Sequence, residues 1–169
     1  MKWERIRPIV YYILAAAAGF LLHFLYDWSP NVLFAMISPV QESVWEHLKL
    51  IYWPLLVFGL LYSRKDRETR GGWYLGILIA SAMLLIFGWV VNIRMGVISM
   101  PVDITAFLVI LFLGFAVAHW IPVNPKANGI LLFGVILVGI LVLVFTFVQP
   151  DGLLFANLSL ADALYTLPC

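Results

Sequence analysis

Five stretches of this chain are long and apolar enough to cross a lipid bilayer, and no other feature restricts the fold as much. They run over about residues 8–26, 41–62, 72–93, 102–121 and 128–148. A helix rising about 1.5 Å per residue needs about 20 residues to cross the hydrocarbon layer. Backbone polar groups find no water there, so each stretch must pair its own groups as a helix. The Leu, Ile, Val and Phe runs also lack the apolar–polar alternation of a membrane barrel. The rest of the composition agrees: 64% of the residues are hydrophobic and 11% charged, where a soluble domain carries about 25% charge. The expected fold is therefore all-α: a polytopic transmembrane helix bundle of about five spans, forming one domain over 1–169. Its expected location is the cell (cytoplasmic) membrane, as a multi-pass protein. The lipid bilayer is the expected partner. A net charge of +1 without a long basic tract argues against nucleic acid, and nothing points to a protein partner or a homo-oligomer. The single cysteine, Cys169, excludes an internal disulfide framework. The first stretch is too long for a secretory leader and lacks a small-residue cleavage site, so it is expected to stay as a span.

Orientation follows from the basic residues near the span ends. Lys2, Arg5 and Arg7 precede the first span, Arg64, Lys65, Arg67 and Arg70 fill the loop after the second, and Lys126 separates the fourth from the fifth. These are eight of the ten Lys and Arg residues. The amino terminus is accordingly expected in the cytoplasm and the carboxyl terminus outside. Trp73 and Tyr74 then fit an inner aromatic belt, and Trp28, Trp45 and Trp89 an outer one. Small-residue rows, Gly72–Gly76–Ala80 on the third span and Ala15–Gly19 on the first, are expected to serve packing within the bundle. The outer loop 27–39, "DWSPNVLFAMISP", holds an apolar run too short to span, expected to be interfacial or partly re-entrant.

The second span opens with "PVQESVWEHLKLIYWP", four ionisable side chains at the mouth of a hydrophobic helix. Ser38, Pro39 and Gln41 read as a capping box that starts this helix near Pro39. Glu42 and Glu46, four apart, and Lys49 three further on would share a face. His47 is offset by about 100°. Pro54 cannot donate to Leu50 O and should bend the helix. The expected topology brings His23 and Asp27 from the first span, Arg94 from the third and Asp103 from the fourth to the same side. His119, beside Trp120, lies at the other end and reads as an interfacial anchor, while Asp151 and Asp162 in the tail read as solvated. Eight ionisable residues thus converge on one leaflet, and each is costly at membrane depth.

As a whole, "HFLYDW" followed by "SPVQESVWEHLKLIYWP" resembles a family of small, uncharacterised bacterial integral membrane proteins. Its signature is His-x-x-x-Asp-Trp at the end of the first helix, matched by His23, Asp27 and Trp28, and an Asn-Glu-Ser-Val-Trp-Glu-His-Leu-Lys block opening the second. Residues 42–49 match that block, with Gln41 in place of its Asn. The resemblance implies a fold and a site, but no activity.

Two functions fit these residues. The favoured one is not catalytic: the cluster binds a lipid headgroup, an ion or a partner, or locks the bundle, with Asp27, Lys49 and Arg94 as binding residues. Glu46–Lys49, Asp27–His23 and Arg94–Asp103 would then satisfy one another as pairs. The alternative is a metal-dependent hydrolase at the outer interface, holding one divalent ion such as zinc. Its ligands would be His23, His47 and one of Glu46 or Asp103, with Glu42 as general base. Lys49 or Arg94 would hold an anionic group of the substrate. The topology has its own test. A reporter fused after Cys169 should be active only outside the cytoplasm, and a cytoplasmic signal there would refute the expected orientation.

Overall fold

The computed structural model describes residues 2–64 and 69–159. Lys65 and Arg67 of the basic loop, and Asp162 and Cys169 of the tail, lie outside the described residues. The chain folds as α1 (Lys2–Trp28), α2 (Val32–Ile37), α3 (Val44–Tyr62), α4 (Arg70–Phe87) with a π-helical extension (Gly88–Arg94), α5 (Met100–Trp120) and α6 (Asn128–Phe147). Short 3₁₀ turns lie at Pro125–Ala127 and Leu153–Phe155. Among the described residues there is no strand, and five helices are long and apolar enough to cross a bilayer. They are the five expected stretches, displaced by at most three residues at any end.

α3 is the central helix: 61% of its span is buried, against 17–39% for the other four. Its polar entrance is therefore walled by protein rather than by lipid. Its start differs from the expected one. Val44 is the first helical residue and Ser43 the N-cap, accepting from Glu46 N at 3.2 Å. Ser43 and Glu46 repeat the Ser-x-x-Glu spacing five residues after Ser38, and Ser38 is already committed. Its hydroxyl donates to Leu22 O and accepts from Tyr26 N at 3.1 Å, pinning the link to the end of α1. Glu42 consequently lies before the helix, not in its first turn.

The small residues act where backbones meet. Side chains at Gly72 and Gly76 would collide with the Ala118 and Gly114 carbonyls of α5, so the expected row serves α4–α5 packing. α3 continues through the buried Pro54. The Leu50 carbonyl, which Pro54 leaves without its helical donor, faces Gly19 of α1. A Cβ there would stand 3.1 Å from Leu50 O and closer still to Phe107. Two belt assignments are corrected by packing. Trp73 is buried against Gly59 and Tyr62, and Trp45 under Phe145 and Phe155, whereas Trp28 and Trp89 are exposed as belt residues would be. At the opposite end Arg7 Nη2 donates to Tyr62 O at 2.7 Å, with its guanidinium 4.4 Å from the Tyr62 ring. This satisfies an orphan carbonyl of the last turn of α3.

Glu46 and Lys49 are both wholly buried and meet at 2.6 Å, the expected i,i+3 pair. Lys49 Nζ also donates to Ala35 O at 2.7 Å and Ser38 O at 3.1 Å, which uses all three ammonium hydrogens. Those carbonyls belong to the end of α2, where no helical donor remains. Trp53 Nε1 takes a third, Met36 O, at 3.1 Å. Glu46 Oε2 accepts in addition from Val40 N at 2.9 Å, while Oε1 is buried without a hydrogen bond. Breaking such a pair from one side leaves an uncompensated charge and costs about 3–5 kcal/mol. Lys49→Met should lose that much by denaturant unfolding in micelles, and Glu46→Gln combined with it should recover a large part. A single variant as stable as wild type would refute the lock.

Candidate metal centre

His47 stands one turn inside α3, and its Nδ1 lies 2.8 Å from the Ser43 carbonyl. A carbonyl only accepts, so Nδ1 carries the hydrogen and Nε2 points away from the helix. The extended backbone of Ser43 (φ −118°, ψ 153°) turns Glu42 back over the first helical turn, bringing its Oε2 to 3.3 Å from His47 Nε2. His23, near the end of α1, places its ring 5.4 Å from that of His47, centroid to centroid. One ligand atom from each of His23, Glu42 and His47 lies within 4.8 Å of the others. Bonds of 2.0–2.1 Å to a tetrahedral zinc imply ligand separations of about 3.3 Å. The Glu42–His47 contact already has that length, and no separation among the three ligand atoms exceeds 4.8 Å. His23 Nδ1 is buried without a hydrogen-bond partner. The hydrogen bond to His47 holds the Glu42 carboxyl below the usual carboxylate range, against the opposing effect of its partial burial.

Glu42 and His47 also line a cavity of about 160 Å³ at this end of the bundle. Its walls are largely apolar, including Leu50 and Val44 of α3, Leu84 and Phe87 of α4 and Phe107 of α5. Two polar groups face it from the far side. Asp103, in the first turn of α5, accepts through Oδ1 from Asn92 Nδ2 at 2.9 Å, and the same nitrogen reaches Val97 O at 3.1 Å. Asn92 sits in the π-helical stretch, where Met95 N bonds Val90 O five residues back. The wider turn buries Asn92 while Trp89 and Val90 are exposed. Such turns recur at functional sites.

A cover comes from the segment after α6. Gln41 Nε2 donates to Gln149 Oε1 at 3.0 Å and to Phe155 O at 2.8 Å, and Leu158 N donates to Glu42 O at 2.7 Å. Phe155 packs on Trp45 and Phe145, and Leu158 and Ser159 line the cavity.

The eight sequence candidates thus separate. His23, Glu42 and His47 come together, and Asp103 shares the cavity. Glu46, read as an alternative ligand, is turned the other way by Lys49. Lys49, read as an anion holder, has its three donors committed inside the protein. Asp27 and Arg94 are exposed and line no part of the cavity. Neither an Asp27–His23 nor an Arg94–Asp103 ion pair is present among the described residues, where Asp103 is held by Asn92 instead. Asn92 and the segment 149–159 join the site without being among the sequence candidates. A side-chain amide inside the third span is the signal the sequence offers for Asn92; the covering segment offers none.

Helices of spanning length, a buried acid–base lock and an open histidine–carboxylate group define an all-helical protein of membrane type with one chemically distinct end. The chain belongs to the family of unknown function DUF6512, which matches it over residues 1–161. No curated protein and no solved structure matches it.

The cover has a direct test. With Cys169 replaced by Ser, a cysteine introduced by Leu158→Cys should react slowly with a polar maleimide. Adding Phe155→Ala should raise that rate several-fold, and equal rates would show that Phe155 does not hold the segment down.

Proposed function

We propose that this chain is a multi-pass membrane protein, one domain over 1–169, that holds a divalent metal ion on His23, Glu42 and His47. The observation that carries the reading is the convergence of three ligand atoms from two parts of the chain, His23 of α1 and the Glu42–His47 stretch that opens α3. Two imidazoles and one carboxylate suit zinc, or a neighbouring transition ion, better than magnesium or calcium, which prefer oxygen. The Ser43 carbonyl on His47 Nδ1 is the outer-shell contact that orients a histidine ligand and fixes its tautomer. Three protein ligands leave a fourth position for water or a ligand, and the cavity beside Glu42 and His47 is where it would enter. On the expected orientation this end faces outside, at headgroup depth in the cell membrane.

The non-catalytic lock is the second reading, and the 3.3 Å contact between Glu42 and His47 favours it, since an imidazolium and a carboxylate would also stand so. A lock nevertheless leaves His23 Nδ1 buried and unsatisfied, which usually costs about 1–3 kcal/mol. A metal bound through that nitrogen would remove the cost.

Elemental analysis of protein purified without chelator and loaded with zinc decides between them. Wild type should carry about one ion per chain, and His47→Ala and His23→Ala should each lose it while remaining folded by circular dichroism. A metal-free wild type, or variants that keep the ion, would leave the lock.

A further inference from the structure

We propose that this metal site is hydrolytic, with Asp103 as the base that takes the proton of the attacking water and an acyl ester or amide of an amphiphile as the substrate. The inference rests on the metal reading above and adds to it a reaction, a residue and a substrate class.

The placement of Asp103 carries the first step. Its carboxyl lines the same cavity as Glu42 and His47 but comes from α5, a helix that supplies no ligand. Asn92 holds Oδ1 at 2.9 Å, and Oδ2 has no hydrogen bond among the described residues. One oxygen is therefore positioned and the other is free. A carboxylate that only stabilised its own helix would gain from the N-terminal dipole without Asn92. The wide turn that brings Asn92 inward makes sense as a device for aiming Asp103. Glu42, the base expected from sequence, stands instead against His47 at 3.3 Å and serves as a ligand in the metal reading, which leaves Asp103 for the proton.

The cavity carries the substrate class. Its largely apolar walls surround about 160 Å³, and an apolar cavity of about 150 Å³ takes a benzene-sized group. That accommodates the first half-dozen carbons of an acyl chain, not a whole lipid. The neighbouring helices expose apolar faces, so the remaining chain would lie along them in the bilayer. A substrate with an apolar acyl group and its scissile bond at headgroup depth fits both constraints.

The chemistry balances without a redox partner. Asp103 removes one proton from the water on the metal, whose pKa the ion lowers. The resulting hydroxide oxygen forms a bond to the carbonyl carbon, and the carbonyl electron pair moves onto its oxygen, beside the ion. Collapse of this adduct re-forms the carbonyl and breaks the C–O or C–N bond. The leaving group takes the proton back from Asp103, giving a carboxylic acid and an alcohol or amine.

Zinc-loaded full-length protein in mixed micelles tests the proposal with two fluorogenic probes, the hexanoyl ester of umbelliferone and the hexanoyl amide of aminocoumarin. Wild type should cleave at least one of them, and chelation should abolish the cleavage. Asp103→Asn should keep its zinc and lose on the order of 100-fold or more in rate, the usual contribution of a positioned base. Asp103→Glu should regain part of it. Zinc-loaded wild type no faster than chelated protein on both probes overturns the hydrolase, as does an Asp103→Asn variant with undiminished rate. Loss of zinc from Asp103→Asn makes Asp103 a ligand and overturns its role as base. The metal reading fails separately: a wild type that binds no zinc is seen before any probe is added.

Discussion

The contact between Lys49 and Glu46 holds the polar end of the bundle together. Lys49 reaches across to the last carbonyls of α2, so one ammonium group neutralises a carboxylate and caps a neighbouring helix at once. Ser38 relays this outward: its carbonyl accepts from Lys49, while its hydroxyl contacts Leu22 and Tyr26 of α1. His23 lies between those two residues. A chain of hydrogen bonds therefore runs from the second turn of α3, through the link between the first two spans, to the turn of α1 that carries His23. Burying two charges is expensive unless the geometry is good, and here it also sets the relative height of α1 and α3. Without that height His23 and His47 would not stand side by side.

Adjacent positions on α3 then do different things. Residues 46 and 49 share a face and look toward α2, whereas residue 47 is turned by about 100° toward α1 and the cavity. Charges on the first face are consumed by one another and by backbone carbonyls. Groups around the second, His47 and its neighbours from α1 and the link, are under-satisfied: His23 Nδ1 has no partner, and Glu42 and His47 remain partly open, with side-chain exposures of 49% and 28%. Native proteins satisfy nearly all buried polar groups. Each network keeps one buried orphan, Glu46 Oε1 in the first and His23 Nδ1 in the second, but only the second keeps groups open to solvent, where a ligand could reach them.

Much of this was legible in the sequence. Bilayer thickness and backbone satisfaction leave little choice of element, so the five spanning helices could be read to within three residues. The Glu46–Lys49 pair followed from helical spacing, and the approach of His23 to His47 from topology. Other features depend on contacts that no local pattern encodes. Ser38 and Ser43 each begin a plausible cap, and the choice turned on α1 taking the Ser38 hydroxyl. That choice moved Glu42 out of the helix and toward His47. Trp45 and Trp73 looked like belt residues because hydropathy does not reveal which aromatic side chains face a neighbouring helix. The Asn92–Asp103 contact needs a π-helical turn, and the cover over the cavity needs a tail to fold back across more than a hundred residues of sequence.

The exposure gradient at this end has a consequence of its own. Glu42 is half exposed, His47 less so, and the orphan nitrogen of His23 is buried. An ion arriving from water would meet the carboxylate first and could exchange its waters one at a time while passing inward, instead of losing them together in an apolar medium. The bond from Leu158 N to Glu42 O ties the covering segment to the outermost of the three groups. Any movement of Glu42 toward an ion is thereby coupled to the segment that forms part of the cavity wall. Displacements at this mouth would fall on the covering segment and the link 38–43, which belong to no long helix and where adjustment is least costly.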